Sequence, residues 1–293
     1  MAVRGSVDRG GLVRTAFALL ALLGFWGALA RAYWPEILPA ALRLAQSARG
    51  AGAVPVESAY LAVRNRSSAG DALVRQAVAQ LEADYVAIEA FLGDEPDHRI
   101  PVLIADGAGP AFTDGARLNL FYDGKEMDLA TVPFILVALR DGNLSVGGIR
   151  LFLEGGFAVY VAEEIDRAQP LLGQSSDAWV AWLQQNGTLL PLADAWSTEL
   201  PQRERDMPDA IRALLQGGSF LSWVADEHGM GAVRDLRDGI GLQEATSTSF
   251  VEAERAWLGA VALRAPHPEP CARVVPDGSI LRGFCGKLDA GAP

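Results

Sequence analysis

From Val74 to Leu92 the apolar residues return at intervals of three and four: Val74, Ala77, Val78, Leu81, Tyr85, Ile88 and Leu92. That spacing puts them on one side of an α-helix, so the pattern predicts a long helix over residues 71–93 with one face turned to a core. Residues 129–164 then read as an apolar helix-like stretch, a glycine-containing break, and a second amphipathic helix led by Phe152-Leu153-Glu154-Gly155-Gly156. Further helices are expected over residues 209–217, 220–228, 232–239 and 250–263. Asp106-Gly107, Asp114-Gly115, Asp123-Gly124 and Asp141-Gly142 are read as turns, because Asp bonds to nearby backbone and Gly accepts turn conformations. Two of Asp106, Asp114, Asp123 and Asp128 also offer a carboxylate pair or a loose calcium site, although their spacing fits no EF-hand loop.

The start of the chain has a different pattern. Residues 15–30, TAFALLALLGFWGALA, carry no charge and no proline; Arg4, Arg9 and Arg14 precede them, and Trp26, Tyr33 and Trp34 lie near their far end. Basic residues before such a run keep that side in the cytoplasm, so the rest of the chain is expected outside it. Sixteen residues span roughly 24 Å as a helix, short of a bilayer core of about 30 Å unless Ala32-Tyr33-Trp34 extends the span. An uncleaved anchor is the preferred reading, and a signal peptide cut after Ala28-Leu29-Ala30 is the alternative. The chain then divides into residues 1–34 as anchor or signal peptide, 35–54 as juxtamembrane linker, 55–264 as the main domain, and 265–293 as a tail. The expected location is a bacterial cell membrane, single-pass, with the C-terminal domain outside the cytoplasm, or secretion if the leader is removed.

Composition supports a folded domain. Of 293 residues, 50% are hydrophobic and 21% charged, enough to bury a sizeable core. The net charge of −11 is uneven: six Arg against Asp8 and Glu36 leave residues 1–50 at +4, so the remainder carries −15. An acidic body repels phosphate backbones, and no nucleic-acid partner is expected. In the tail, Cys271 and Cys285 flank a Pro276-Asp277-Gly278 turn. In an exported chain that pair suggests a disulfide, which contributes about 3 kcal/mol by loop-closure entropy; two free thiols remain the other reading.

Several pieces stand in a distinctive order: Tyr60-Leu61-Ala62-Val63, the long helix ending in Leu92-Gly93, Ile100-Pro101-Val102-Leu103-Ile104, and a Gly-rich turn with an edge strand over residues 112–120. Leu153-Glu154-Gly155 follows, then Gly218-Ser219-Phe220-Leu221 running to Glu227-His228-Gly229, then a closing helix with Ala256-Trp257-Leu258. This set resembles the peptidase-MA-like domains of bacterial gluzincins, the thermolysin-like zinc peptidases. The resemblance implies an α+β fold: a small, mainly antiparallel N-terminal sheet with a long helix, then a mostly helical zincin-like half.

The same resemblance isolates a loss. In gluzincins HExxH supplies two imidazoles and a general-base Glu, and a Glu on the following helix completes the zinc site. Here the corresponding five positions are Pro133-Phe134-Ile135-Leu136-Val137. Pro133 and Val137 stand for the two His, Phe134 stands for the Glu, and Glu154 alone matches the third-ligand position, with Arg140 or Arg150 as candidate ion-pair partners. The chain has only three histidines, His98, His228 and His267, none at a ligand position. A lone carboxylate cannot set up catalytic zinc, so no catalytic residue, metal or cofactor is expected. Pro133 suits the first turn of a helix, which is therefore expected to start near Thr131 or Val132.

No other catalytic motif takes its place. Gly217-Gly218-Ser219-Phe220-Leu221 lacks the GxSxG pattern, and its small residues are read as permitting close helix packing. The expected function is a membrane-anchored, extracytoplasmic, catalytically inactive peptidase-like module that binds or scaffolds a protein or peptide. A cleft bordered by Arg117, Asn119, Phe121, Glu154 and Tyr160 would accept an extended segment by strand addition. Trp179, Trp182, Trp196 and Trp223 serve as anchors if exposed and otherwise as core. The alternative is a hydrolase with a non-zinc site in the same cleft.

Overall fold

The computed structural model describes residues 54–93, 99–107, 109, 111–113, 117–129, 131–140, 151–165, 174–198 and 207–265. It opens with five strands, β1 (Val54–Val56), β2 (Leu61–Asn65), β3 (Ile100–Asp106), β4 (Phe112–Thr113) and β5 (Leu118–Tyr122), in the order β1-β2-β3-β5-β4. Helix α1 (Asp71–Leu92) lies between β2 and β3. A helix of that length returns the chain to the end where β2 began, so β2 and β3 run parallel, with Leu61 opposite Ile100 and Asn65 opposite Ile104. Strands β3 and β5 are also parallel, while the outer pairings β1–β2 and β4–β5 are antiparallel. The fold is α+β as expected, but the sheet is mixed and parallel at its centre, not mainly antiparallel. Val54, assigned from the sequence to the linker, already pairs with Asn65.

Opposed residues in the register share a face. Leu61, Val63, Ile100, Val102, Ile104, Leu118 and Leu120 are all buried and join one core with Val74, Val78, Leu81, Tyr85 and Ile88 of α1. The helix stops where its sequence says it should. Gly93 adopts φ 73° and its N–H donates to the Glu89 carbonyl at 2.9 Å, a left-handed cap that a side chain would strain. Arg234 donates to the Leu92 carbonyl at 2.8 Å, placing a cation at the negative end of the helix.

The remaining helices are α2 (Val132–Arg140), α3 (Gly156–Glu164) preceded by a π turn (Leu151–Gly155), α4 (Ser176–Gln185), α5 (Leu192–Trp196), α6 (Met207–Arg237), α7 (Leu242–Thr246) and α8 (Phe250–Arg264). Every residue from Gly156 to Ala162 is buried. Helix α3 is therefore a central core helix and not the amphipathic one the sequence suggested; only Glu163 and Glu164 at its end meet water. The two helices expected at 209–217 and 220–228 are one, continuous through Gly217-Gly218, and the break falls at Gly229, with φ 81° and ψ 166°. Helices α4, α5 and α7 were not expected from the sequence. At the end of the domain, Ser249 and Glu252 form a reciprocal capping box that starts α8.

Candidate functional site

Pro133–Val137, the five positions that the sequence reading set against HExxH, open helix α2. Thr131 precedes the helix, Ile135 N–H donates to its carbonyl at 3.2 Å, and Pro133 falls within the first turn, where its missing N–H costs nothing. Pro133, Ile135, Leu136 and Val137 are buried and Phe134 is half-buried against the core. Leu136 is 0% and Val137 1% exposed, so this turn of helix is filled by hydrocarbon. Side chains of this kind offer neither a lone pair to a metal nor a group that moves a proton.

Glu154, which the sequence reading matched to a third-ligand position, lies half-buried in the π turn, between buried Leu153 and the start of α3. A π turn is a local widening that appears mostly as a single insertion. Here it delivers the chain to a close helix crossing. A Cβ on Gly156 would sit 2.5 Å from the Gly217 carbonyl carbon, one on Gly217 would overlap the Phe152 carbonyl oxygen, and one on Gly218 would sit 2.5 Å from Val159 Cγ1. Close packing by the small residues of α6 was legible in the sequence; their partner, Gly156 after the Leu-Glu-Gly element, was not. Around the crossing Phe220 gathers Phe152, Trp223 and Trp257 at ring separations of 5.5, 5.4 and 5.6 Å. Trp196 stands 5.5 Å from Phe152 and 5.2 Å from Phe250. Trp179 and Trp223 are buried, and Trp182 and Trp196 half-buried.

A largely buried charged pair joins α1 and α2. Arg140, in the last turn of α2, meets Glu89 of α1 with Nε 2.8 Å from Oε1; Glu89 is 4% exposed, and its Oε2 makes no hydrogen bond. The sequence reading offered Arg140 or Arg150 as a partner for Glu154 and did not name Glu89. A signal was present: Glu89 lies in the stripe formed by Leu81, Tyr85 and Leu92, a carboxylate at helical spacing among core residues.

The residues expected to border a cleft have separate surroundings. Asn119 and Phe121 project to the sheet face opposite α1, beside Leu103 and Ala105, and all four are buried. Phe121 stacks on Phe112 at 5.6 Å, and Asn119 Nδ2 donates to the Arg117 carbonyl at 3.5 Å while its buried Oδ1 makes no hydrogen bond. Arg117 is exposed. Tyr160 packs on Phe91 at 5.7 Å and its hydroxyl donates to Met230 Sδ at 3.3 Å. Burial, then the charges of Glu164 and Asp226, push its phenol well above the usual range. Strand β5 is not the sheet edge: β4 pairs with it at Phe112–Asn119 and Thr113–Leu118, and a bridge joins Tyr122 to Met127. The outer edge belongs to the two-residue β4.

Two of the acidic residues before α2, Asp106 and Asp123, act as turn and loop ties. Asp123 Oδ1 accepts from the Lys125 and Glu126 amides at 2.8 and 2.9 Å, the Asx turn its Asp-Gly pair announces, and these bonds, Glu126 first, hold its carboxyl low. Asp106 instead ties the end of β3 to Ser68 through both N–H and Oγ–H, at 2.7 and 2.8 Å. Among the described residues no three His, Cys, Asp or Glu side chains converge as a metal site, and no helix there is long and apolar enough to cross a membrane. The N-terminal segment, Asp114, His98, His267, Arg150, Cys271 and Cys285 lie outside the described residues.

A polar cluster missing from the sequence reading joins the end of α3, the start of α4 and the later part of α8 to the middle of α6. Glu163 accepts from Ser176 N–H and Oγ–H, both at 2.7 Å. Asp177 accepts from Ser219 Oγ–H and ion-pairs with Arg264 Nε at 2.8 Å. Trp257 Nε1–H donates to Ser219 at 2.9 Å, and Arg264 reaches Asp226 at 2.8 Å. Ser219 is fully buried, enclosed between Asp177 and Trp257. Burial pushes the Glu163 carboxyl up to about 7 and raises those of Glu164 and Asp177.

No family model, curated protein or solved structure matches the chain.

Proposed function

We propose that this chain is a peptidase-like domain without peptidase chemistry, held at the outer face of a membrane and used as a binding or scaffolding module. One observation carries the reading: the turn Pro133–Val137, where the resemblance locates the zinc histidines and the general base, is built from apolar side chains packed into the common core. Filling such a centre with hydrocarbon preserves stability that a vacated polar site would forfeit. The half-buried Glu154, alone at the third-ligand position, is then a structural residue of the π turn. Because β4 occupies the outer edge of the sheet, an extended partner would add there, beside Phe112–Thr113, and not along Arg117–Phe121.

The test uses the full chain in detergent, incubated with a mixture of unstructured peptides with and without a zinc chelator, with products read by mass spectrometry. The expected result is peptide retention without chelator-sensitive cleavage. Cleavage abolished by the chelator would overturn the proposal.

A further inference from the structure

Over its second half, helix α8 is apolar on the side that faces away from the protein. Ala253, Trp257 and Val261 are its buried residues, yet residues 256–263 read AWLGAVAL, without a single charge. Ala256, Gly259, Ala262 and Leu263 are all exposed, Leu263 at 84%, and Val251 nearer the helix start stands 64% exposed. At the middle of this face no atom outside the helix lies within 4 Å of the place a Gly259 Cβ would take. The charged side chains of α8 are engaged elsewhere: Glu252 closes the capping box, Glu254 accepts from Leu192 N–H at 2.9 Å, and Arg264 pairs with Asp177 and Asp226. A helix that is apolar all round is ordinarily covered all round.

The sequence after α8, which lies outside the described residues, has the complementary need. Ala265 leaves the helical conformation, and Pro266, Pro268 and Pro270 bar any continuation of the helix. Alternate prolines favour extended chain at about 3.1 Å per residue, so residues 266–270 reach roughly 15 Å. Helix α8, with 15 residues, is roughly 22 Å long. A spacer of that reach, turned back along the helix, brings Cys271 to the level of Ala256. Beyond it Val274, Val275, Ile280, Leu281 and Phe284 flank the Pro276-Asp277-Gly278 turn. A two-stranded hairpin is marginal by itself, because it has no second layer in which to bury such side chains.

We propose that residues 271–285 fold back onto α8 and cover its outward face, with their apolar side chains against Ala256, Ala262 and Leu263. Attachment decides the occupant. A segment joined to the helix through residues 266–270 stands at an effective concentration on the order of millimolar, whereas a second copy of the chain has to arrive from solution. Charge does not oppose the contact: Arg273, Arg282 and Lys287 balance Glu269, Asp277 and Asp289, so residues 266–293 approach the acidic body with no net charge. The contact is independent of the peptidase reading, and peptidase activity in the chain would leave it standing.

Photocrosslinking of the full chain in detergent tests it. With Ala256→p-benzoylphenylalanine, irradiation followed by digestion and mass spectrometry is expected to join position 256 to peptides from residues 271–285 of the same chain. The same group placed at Val86, an exposed side chain of α1, is expected to give no such link. Products that join two copies, products without residues 271–285, or an equal yield from position 86 would overturn the proposal. A second measurement uses trypsin. Cleavage after Arg273 and Arg282 is expected to be about tenfold faster in Leu263→Asp than in the wild type, because a charge on the apolar face releases the segment. Leu263 is exposed, so the variant keeps its fold, and equal cleavage rates in the two chains would refute the docking.

Discussion

The sheet with α1 and the crossing of α3 with α6 solve the packing problem in opposite ways. In the first, large side chains meet across a gap: Leu81, Tyr85 and Ile88 project from the helix towards Leu61, Val102 and Ile104 of the strands. In the second, the side chains are removed and backbones touch, Gly156 against Gly217, with Phe152, Phe220 and Trp257 packed around the contact. A core of large residues tolerates volume changes by shifting rotamers. A backbone crossing has no rotamer to move, so its tolerance is far lower.

The largest expected effect follows from that contrast. Gly217→Ala would set a methyl group on the Phe152 carbonyl, so a loss of more than about 4 kcal/mol, or no cooperative unfolding at all, is expected in urea denaturation. An equivalent outcome for Leu81→Val, a modest volume change in the first region, would erase the comparison. Next comes the ion pair between α1 and α2. Arg140→Ala leaves Glu89 buried without its cation, and a loss of about 3–5 kcal/mol is expected; Glu89→Leu with Arg140→Met should recover most of it, because the cost lies in the unpaired charge.

Smaller effects sharpen the same contrast at the edges. Ser249→Ala removes the capping box of α8 and should cost about 1 kcal/mol. Gly259→Ala goes the other way. Beyond its own helix backbone, no atom lies within 4 Å of the position its Cβ would take, so the exchange should stabilise the protein by about 0.5–1 kcal/mol through helix propensity. A glycine in open space and a glycine in a crossing thus give changes of opposite sign, and both can be read by the shift in denaturation midpoint.

The same contrast explains what was legible in the sequence. The α1 stripe could be read because one side chain of each kind meets one face, and Gly93 marked its end. The Asx turn at Asp123 was equally local. Sheet direction was misread because it depends on the route the chain takes between strands, and a 22-residue helix between β2 and β3 imposes a crossover. The split of α6 at Gly217-Gly218 was misread because glycine's local preference points to a break, whereas the contact with Gly156 lies 61 positions away along the chain and is invisible to any window. The candidate site divides the same way. Pro133–Val137 announced packing by composition alone, while Glu89–Arg140 and Glu163–Ser176 join elements that only the fold brings together.

The central claim is that hydrocarbon at Pro133–Val137 does the work of packing and leaves the domain independent of zinc. The most direct measurement is metal content, by mass spectrometry of the full chain purified with zinc present, paired with its thermal unfolding midpoint before and after chelation. The account expects well under about one zinc per chain and an unchanged midpoint. One zinc per chain, with a midpoint that falls when the metal is stripped, would contradict it.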